Sequence, residues 1–349
     1  MAITSYEILD TTNDVTTTRT LLHESIPLTG TIISGTYGTF PDEGNIKNYS
    51  HGQFQSVYDY PYLSSSANHI FDITIGFDES SAMSGSTGAS QESKKINMYN
   101  QMSQVLLGYT GSSNDVRKFE LDTTLDGTGE MKEGFFLNFS RLITKDQIKK
   151  GTFSITLSTG SWRNEAGDPT VTLTDSQATD TEGTAKTLGG DYGVLYDAPA
   201  GNVARGIVFY QAGIVVLSTS SFDSPSDFYN EAATTSSVLD TFVSSSITAS
   251  ADALRHRIQN ISFNNTTEIN STIYFCRVPH NKYNHSSNPT YISSSTIRVK
   301  SVNTDQPVSY VTTIGLYSSD NELLAVAKLS EPLRKDPTNE LTLRVRLDY

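Results

Sequence analysis

The second half of the sequence is a succession of short apolar runs separated by turn-forming residues, and this pattern restricts the fold more than any other feature. The clearest runs are residues 194–196, 206–210 and 213–217. Short apolar runs bounded by turn residues are typical of β-strands, and runs with so little polar interruption indicate strands covered on both faces. Further strands, which would complete a C-terminal sheet, are predicted at 274–278, 296–300, 311–317, 323–329 and 341–349.

Composition extends this interpretation to the whole chain. Charged residues make up 18% and hydrophobic residues 36% of the sequence, and Ser, Thr, Asn and Gly are abundant. The 18 Tyr and 15 Phe residues supply large surfaces for burial, whereas disordered chains have few aromatic residues and many charges. The sequence therefore predicts a mainly β (β-rich α+β) fold, with antiparallel sheets, sandwich-like domains, long loops and a few short helices.

The N-terminal part is predicted to be an extended arm with strands. Glycines interrupt the apolar positions of residues 26–40, and the aromatic segment 54–62 contains Pro61, which keeps the preceding residue extended and excludes a helix. Residues 69–76 largely alternate apolar and polar positions, as a half-buried strand does.

Helical periodicity is limited to a few segments. The clearest helix is predicted at about 91–107, where four residues form one apolar face and Gly108 occupies the position of a C-terminal cap. The four residues are Ile96, Tyr99, Met102 and Leu106. The spacing of Thr144 and Gln147 is that of a capping box and predicts a short helix within 142–150. Two further short helices are predicted at 223–233 and 249–258.

Two polar stretches, near residues 80–90 and near residue 190, are the predicted domain boundaries. They divide the chain into an N-terminal arm with strands (1–80), a β domain with one amphipathic helix (81–190) and a C-terminal β domain (191–349). The strands on either side of a boundary could also share one sheet, and the sequence leaves both arrangements open.

Charge and targeting signals restrict the possible partners. A formal net charge of −13, with no basic run longer than two residues, argues against nucleic acid, because phosphate binding requires clustered Lys and Arg. The N-terminus lacks the basic and apolar regions of a signal peptide, and no apolar run approaches the roughly 20 residues of a membrane helix. We therefore expect folding in a cytoplasm, with no membrane partner. Cys276, the single cysteine, is expected to be a small buried hydrophobic residue.

One segment resembles a calcium-binding loop. Asp122, Asp126, Gly127 and Glu133 occupy positions one, five, six and twelve of the EF-hand pattern, in which oxygen ligands surround one hard cation. Thr124 stands where position three requires Asp or Asn, and the flanking segments look like strands, whereas an EF-hand needs helices. The favoured interpretation is a β-hairpin that turns at Asp126 and Gly127 and holds no metal.

The search for other functional residues yields interface candidates rather than a catalytic site. The sequence contains neither a P-loop nor a nucleophile elbow, and we expect no catalytic residue and no cofactor. Tyr58, Tyr60 and Tyr62 are the candidate interface residues, because aromatic rings dominate the energetics of protein interfaces. Ordinary packing in the core and loops is the alternative for these three rings.

Several segments are similar to known phage sequences: YDYPYLSSS (58–66), NHIFDITIG (68–76), GIVFYQAGIVVL (206–217) and YVTTIGLYSSDNELLAVAKLS (310–330). Together they resemble virion structural proteins of large contractile-tailed bacteriophages, notably those that infect cyanobacteria and marine bacteria. The resemblance implies a virion component that contacts other phage structural proteins, forms homo-oligomers in a symmetric assembly and assembles in the host cytoplasm. It transfers no functional residue.

The position within the particle is a separate question. The leading hypothesis is a non-enzymatic tail-machine component of the baseplate or the tail–neck region, joined to its neighbours through arms and sheet edges. A capsid or decoration protein is one alternative, and a fibre or spike that binds a receptor or glycan is another, although fibres usually contain obvious repeats and none is found. A tail-associated glycan hydrolase is a further alternative, because carboxylate pairs cannot be recognised from sequence spacing.

Overall fold

The chain folds into two compact units that are rich in β-structure. The computed structural model describes residues 6–34, 43–110, 115–159, 169–179, 183–222, 237–286, 288–294, 296–298, 302 and 304–349. Unit 1 comprises Met1–Leu21 and Glu268–Tyr349, and unit 2 comprises Leu22–Thr267. The mainly β fold class predicted from the sequence is confirmed.

The secondary structure consists of many short strands and a few short helices. The strands are β1 Val15–Thr29, β2 Ile46–Asn48, β3 Gln55–Tyr58, β4 His69–Phe77, β5 Phe119–Glu120, β6 Glu130–Met131, β7 Glu133–Phe139, β8 Gln147–Ile148, β9 Ser154–Ser158, β10 Thr170–Thr174, β11 Thr184–Thr187, β12 Gly190–Asp197, β13 Val203–Phe209, β14 Ile214–Ser218, β15 Ile258–Val278, β16 Ile292–Ser293, β17 Thr296–Ile297, β18 Ser309–Tyr317, β19 Leu323–Lys335 and β20 Leu341–Asp348. The helices are α1 Gly30–Ser34, α2 Glu92–Leu106, α3 Arg141–Thr144, α4 Val238–Ser244 and α5 Ile247–Arg257.

Unit 2 is built on one antiparallel sheet whose centre is covered on both faces. The strand order is β9-β10-β12-β13-β14-β7-β4-β3-β2. On one face, Phe135 and Leu137 of β7 belong to the larger apolar core, and on the other face Phe136 packs in a second core with Tyr99 of α2 and Phe119 of β5. Alternate residues of one strand thus point into two cores, as the uninterrupted apolar runs of the sequence predict.

The sheet of unit 2 curves so that β15 and the segment before β9 come back to face β7. Phe139 of β7 lies 5.3 Å from Phe263 of β15 and 6.2 Å from Phe153, measured between ring centroids. β15 pairs with β9, so five strands of the sheet separate it from β7 along the hydrogen-bonded order. Contact between these rings therefore requires a sandwich-like curvature around the larger core.

The helix predicted at 91–107 is confirmed as α2. Gly108 follows it with a φ of 81° and donates its N–H to the Ser103 carbonyl, which confirms the predicted C-terminal cap. Tyr99 and Leu106 of the predicted apolar face are buried, but Ile96 and Met102 are only half-buried. The buried side of the helix also includes Lys95, Met98 and Ser103.

The three other helix predictions have different outcomes. A short helix is present where one was predicted within 142–150, but its bounds and cap differ: α3 is capped by the Ser140 hydroxyl, which accepts from the N–H of Leu142, and it ends at Thr144, where the predicted capping box would begin. Ile148 instead pairs with Asn265 of β15, so sheet pairing takes the backbone groups that a longer helix would use. The helix predicted at 249–258 is confirmed as α5, and the one predicted at 223–233 lies outside the described residues.

The described strands of unit 1 do not form the single C-terminal sheet that the sequence predicts: β15 pairs with both β1 and β20, and the remaining strands form two separate pairs. β20 pairs with β15, and its Val345 is buried while Arg344 and Arg346 are exposed, as the alternating pattern predicts. β18 and β19 form a two-stranded sheet of their own, joined by a turn in which Asn321 has a φ of 63°. β16 and β17 form another two-stranded sheet. The predicted continuous sheet is therefore wrong for this part of the chain.

The strands on either side of both predicted domain boundaries share one sheet. Across residue 80, β4 pairs with β7, and across residue 190, β10 pairs with β12. This is the second of the two arrangements that the sequence leaves open. The division into units 1 and 2 differs from the segments 1–80, 81–190 and 191–349.

Candidate functional site

The aromatic surface of unit 2 is formed by Lys47, Tyr49, Tyr58, Tyr60 and Tyr62 at the edge of the sheet. β2 is the outermost strand, and it places Lys47 opposite Ser56 of β3, while β3 places Tyr58 opposite His69 of β4. Pro61 interrupts the segment directly after these pairs, and the chain turns there. The short edge strands thus present several rings at one end of the sheet.

The rings of the aromatic surface contact one another. The Tyr58 ring lies 6.2 Å from that of Tyr62 and 5.5 Å from that of His69 between centroids. The Lys47 Nζ lies 4.8 Å from the Tyr49 centroid and 6.0 Å from that of Tyr62, which are cation–π distances. Burial and the adjacent Tyr49 raise the pKa of Tyr58, so its hydroxyl stays neutral at physiological pH.

The three predicted interface tyrosines differ in their exposure. Tyr60 is 45% exposed, whereas Tyr58 and Tyr62 are half-buried among the neighbouring rings. Leu63, the next apolar residue along the chain, is 88% exposed. The structure therefore brings the three tyrosines to one surface, and their role in binding another chain stays a prediction.

Sequence reasoning missed a second part of this aromatic region. The rings of Tyr49 and His51 are stacked with centroids 5.1 Å apart, and Phe54 lies 4.8 Å from Tyr49. The signal was present in the sequence, because aromatic residues are already dense from Tyr49 onwards. The aromatic segment predicted from the sequence, residues 54–62, starts after Tyr49 and His51.

The acidic loop, residues 120–126, is the part of unit 2 that resembles a calcium-binding loop. β5 and β6 pair on either side of it, with Phe119 opposite Met131, so its flanks are strands, as predicted. Carboxylate oxygens of Glu120, Asp122 and Asp126 lie within 4.8 Å of one another. Glu133, the predicted twelfth ligand, lies on β7 and accepts a hydrogen bond from the Ser81 hydroxyl instead.

Hydrogen bonds within the acidic loop account for its conformation. The Glu120 carboxylate accepts the N–H groups of Asp126 at 3.0 Å and Gly127 at 3.2 Å, and Asp126 accepts that of Thr128 at 2.9 Å. Burial raises the pKa of Glu120, whereas hydrogen bonds from Thr128 lower that of Asp126. Three carboxylates are suitable ligands for a hard cation, but their oxygens already accept bonds that stabilise a hairpin turn.

A buried ionic network, which the sequence did not indicate, joins α5 to the region before β2. Glu43 lies 3.4 Å from both Arg255 and His256, and Arg255 is also 3.0 Å from Asp252. The Arg255 Nε donates to the Gln55 amide oxygen at 3.2 Å. Burial opposes the charge on Glu43, but His256 and Arg255 outweigh it and lower the pKa of Glu43. The network holds its charged groups away from solvent, as a structural element does.

The open hairpin of unit 1 consists of β18, the turn and β19, residues 309–335. From Tyr310 to Arg334 not one residue is buried, and all of these residues are described. Its base is fixed by Lys335, whose buried Nζ donates to the Asn284 amide oxygen at 2.6 Å and to the Asp336 carbonyl at 2.8 Å. Several of its large apolar side chains are exposed: Tyr310, Tyr317, Leu323, Leu324 and Val326. The Tyr317 ring also contacts that of Tyr6, with centroids 5.1 Å apart.

Cys276 is half-buried rather than fully buried as predicted. It lies on β15 opposite Leu343 of β20. Burial and the nearby carboxylate of Asp14 raise the pKa of the thiol. The thiol is therefore a poor nucleophile, because the thiolate is the reactive form.

Comparisons with known proteins add no relative. A scan against protein-family models, a search of curated proteins and a search of solved structures each found no match to this chain. Within the described residues, no helix combines the length and apolar character that crossing a bilayer requires.

Proposed function

We propose that this chain is a non-enzymatic structural protein of a contractile-tailed bacteriophage particle, a component of its tail machine at the baseplate or the tail–neck region. One observation carries the proposal. Among the described residues of unit 1, the buried apolar side chains are Val278, Val308 and Val345. A separate domain normally has a hydrophobic core of its own, and three valines do not make one. Unit 1 would therefore be stabilised by other chains that cover its exposed apolar side chains.

The aromatic surface of unit 2 supports the same proposal. It combines half-buried rings, which are held in place by their neighbours, with the exposed Tyr60 and Leu63. Fixed rings lose little conformational entropy on binding, and aromatic residues are enriched among the energetically dominant residues of interfaces. The surface also lies at the end of a sheet, where a partner can add contacts without disturbing the core.

Four sequence segments resemble phage virion proteins, and this resemblance is the reason for placing the assembly in a phage particle. The net charge of −13 is consistent with it, because charge repulsion keeps newly made subunits apart until specific contacts form. Binding partners are then other phage structural proteins and further copies of this chain.

A test of the proposal uses a phage that encodes this chain. Tyr60→Ser together with Leu63→Ser is expected to reduce incorporation of the protein into particles, because the loss of about 2 kcal/mol at an interface lowers affinity about thirtyfold. Leu188→Ser is the matched control, since Leu188 is an exposed apolar residue elsewhere in unit 2. The amount of protein per purified particle is the readout. Equal incorporation of the variant and the control would contradict a role for the aromatic surface in assembly.

A further inference from the structure

The two strands of the open hairpin differ in the protection of their outer edges. β18 contains no charged residue and no proline, and the uncharged stretch extends from residue 306 to residue 319. β19 carries Lys328, Glu331, Pro332, Arg334 and Lys335. Charges and proline are the features by which proteins prevent an edge strand from pairing with another chain. The edge of β19 is protected in this way, and the edge of β18 is not.

The free edge of β18 is long enough to form a new strand pair. In the part of the chain that the structure describes, β18 pairs with β19 alone, and the two strands make a sheet of their own. An isolated two-stranded hairpin is marginally stable in water, and three or more strands with an apolar face are needed for independent stability. Adding strands at the β18 edge would satisfy its unpaired backbone groups and cover its apolar side chains.

We infer that β18 pairs with β18 of a second copy of this chain, antiparallel and about a two-fold axis, so that two open hairpins form one four-stranded sheet. This inference deepens the proposed function and rests on it, because it names the surface through which copies of the subunit join. Thr313 is the middle residue of Ser309–Tyr317, so full overlap of the two strands places Thr313 opposite Thr313 of the other copy. Tyr310 then faces Leu316, and Val311 faces Gly315, without burying a charge.

Charge distribution favours a second copy over a different partner. Unit 1 contains 10 of the 25 Lys and Arg residues and 11 of the 38 Asp and Glu residues, so its formal charges nearly cancel. Unit 2 holds the other 15 basic and 27 acidic residues. An uncharged edge on a nearly neutral unit does not repel its own copy, whereas it offers nothing to steer a charged partner. A strand that is paired with itself about a two-fold axis also gives a closed interface, as most homo-oligomers have.

Disulfide cross-linking tests the register. In a Cys276→Ser background, Thr313→Cys is expected to form a covalent dimer under mild oxidation, because opposite residues of an antiparallel pair have Cα atoms about 4.5–5.5 Å apart. Ser330→Cys is the matched control, since Ser330 is an exposed residue on β19 of the same hairpin. Cross-linking of both variants, or of neither, overturns the inference.

Charge substitution provides a second, independent test. Thr313→Glu places a carboxylate opposite Lys328 within the hairpin, which preserves the fold, but puts two carboxylates face to face across the two-fold axis. We expect at least a tenfold weaker dimer by sedimentation velocity, while Ser330→Glu, with the same change in charge, dimerises like the wild type. Mixing Thr313→Glu with Thr313→Lys is expected to restore dimers.

The outcomes separate this inference from the proposed function. A wild-type protein that stays monomeric, or a Thr313→Glu protein that dimerises like the wild type, overturns the β18 pairing. Either result leaves the proposed function standing if the chain is found in particles. A protein that dimerises through β18 but is missing from particles has the opposite meaning: the pairing is correct and the proposed function fails.

Discussion

Single residues show how differently buried carboxylates are accommodated in unit 2. Glu43 is 4% exposed and lies 3.4 Å from both Arg255 and His256. Asp175 is fully buried and has no cation within hydrogen-bonding distance among its described contacts; it accepts the N–H groups of Gly151 and Phe153 at 2.8 Å and the Tyr210 hydroxyl at 2.9 Å. The first carboxylate is stabilised as an anion, and the second is shifted towards its neutral form.

The ionic network around Glu43 gives a prediction for stability. Glu43→Ala is expected to lower the free energy of unfolding by about 3 kcal/mol, because it leaves the fully buried Arg255 with Asp252 as its one remaining carboxylate partner among the described residues. Glu340→Ala is the control: Glu340 forms a carboxylate–histidine pair with His280 at 3.1 Å, but both side chains are largely exposed. We expect no measurable change for the control in denaturant unfolding. Equal effects of the two substitutions would show that the buried network contributes nothing beyond a surface pair.

Asp175 gives a prediction for pH dependence. Burial raises the pKa of Asp175 from about 3.8 to about 6, although the three hydrogen bonds partly oppose this shift. Between these two pH values the folded protein binds more protons at Asp175 than the unfolded chain does. The stabilisation that comes from protonated Asp175 is therefore complete below pH 3.8 and is lost as the pH rises through 6.

The variant Asp175→Asn removes this dependence. It is expected to lower the free energy of unfolding by about 1–3 kcal/mol, because its NH₂ group would face a backbone N–H. The difference from the wild type should shrink between pH 4 and pH 7 in a series of urea titrations. A difference that grows with pH would mean that the folded state holds Asp175 as a stabilised anion.

Among the elements, the contact between α2 and β4 depends on the absence of a side chain at one position. A Cβ atom on Gly76 would lie 2.6 Å from the Lys95 carbonyl oxygen and 2.7 Å from the Tyr99 nitrogen. Both are backbone atoms of the helix, so they cannot rotate away. Lys95 in turn donates its Nζ to the Ser245 carbonyl at 2.8 Å near the end of α4, which links the two helices.

The prediction for this contact compares two glycines that face each other across a strand pair. Gly76→Ala is expected to lower the free energy of unfolding by about 2 kcal/mol, because α2 must move away from the sheet. Gly134, its partner in β7, is the control: a Cβ there would lie 3.1 Å from Cγ1 of Val216, a side chain that can adjust. Thermal unfolding of both variants shows which substitution destabilises the protein more. A larger effect for Gly134→Ala than for Gly76→Ala would contradict the prediction.

Elements with a strong local pattern were predictable from the sequence, whereas the way in which strands pair was not. The period of α2 and its Gly108 cap are local signals, and both were found. The helix predicted within 142–150 ends already at Thr144, because Ile148 pairs with Asn265, a residue more than a hundred positions away. Likewise, the spacing of Asp122 and Asp126 suggested a calcium-binding loop with Glu133 as a further ligand. The pairing of β5 with β6 instead places the carboxylate of Glu120 beside those of Asp122 and Asp126.

At the scale of the whole molecule, each unit presents a different kind of exposed surface. Unit 2 has two cores, most of the negative charge and an aromatic surface of fixed rings. Unit 1 has few buried apolar side chains and a hairpin with one unprotected edge. The sequence predicted the aromatic candidates, because ring density is visible in a single segment. It did not predict the unprotected edge, because whether a strand has one neighbour or two is decided by the tertiary fold.

Cryo-electron microscopy of the intact phage particle would show whether this chain is a structural subunit whose open surfaces are covered by other chains. We expect the chain to occupy a symmetric position in the tail machine, with the open hairpin and the ring of Tyr60 buried against neighbouring subunits. A particle that lacks the chain would contradict it, and so would a map in which both surfaces face solvent.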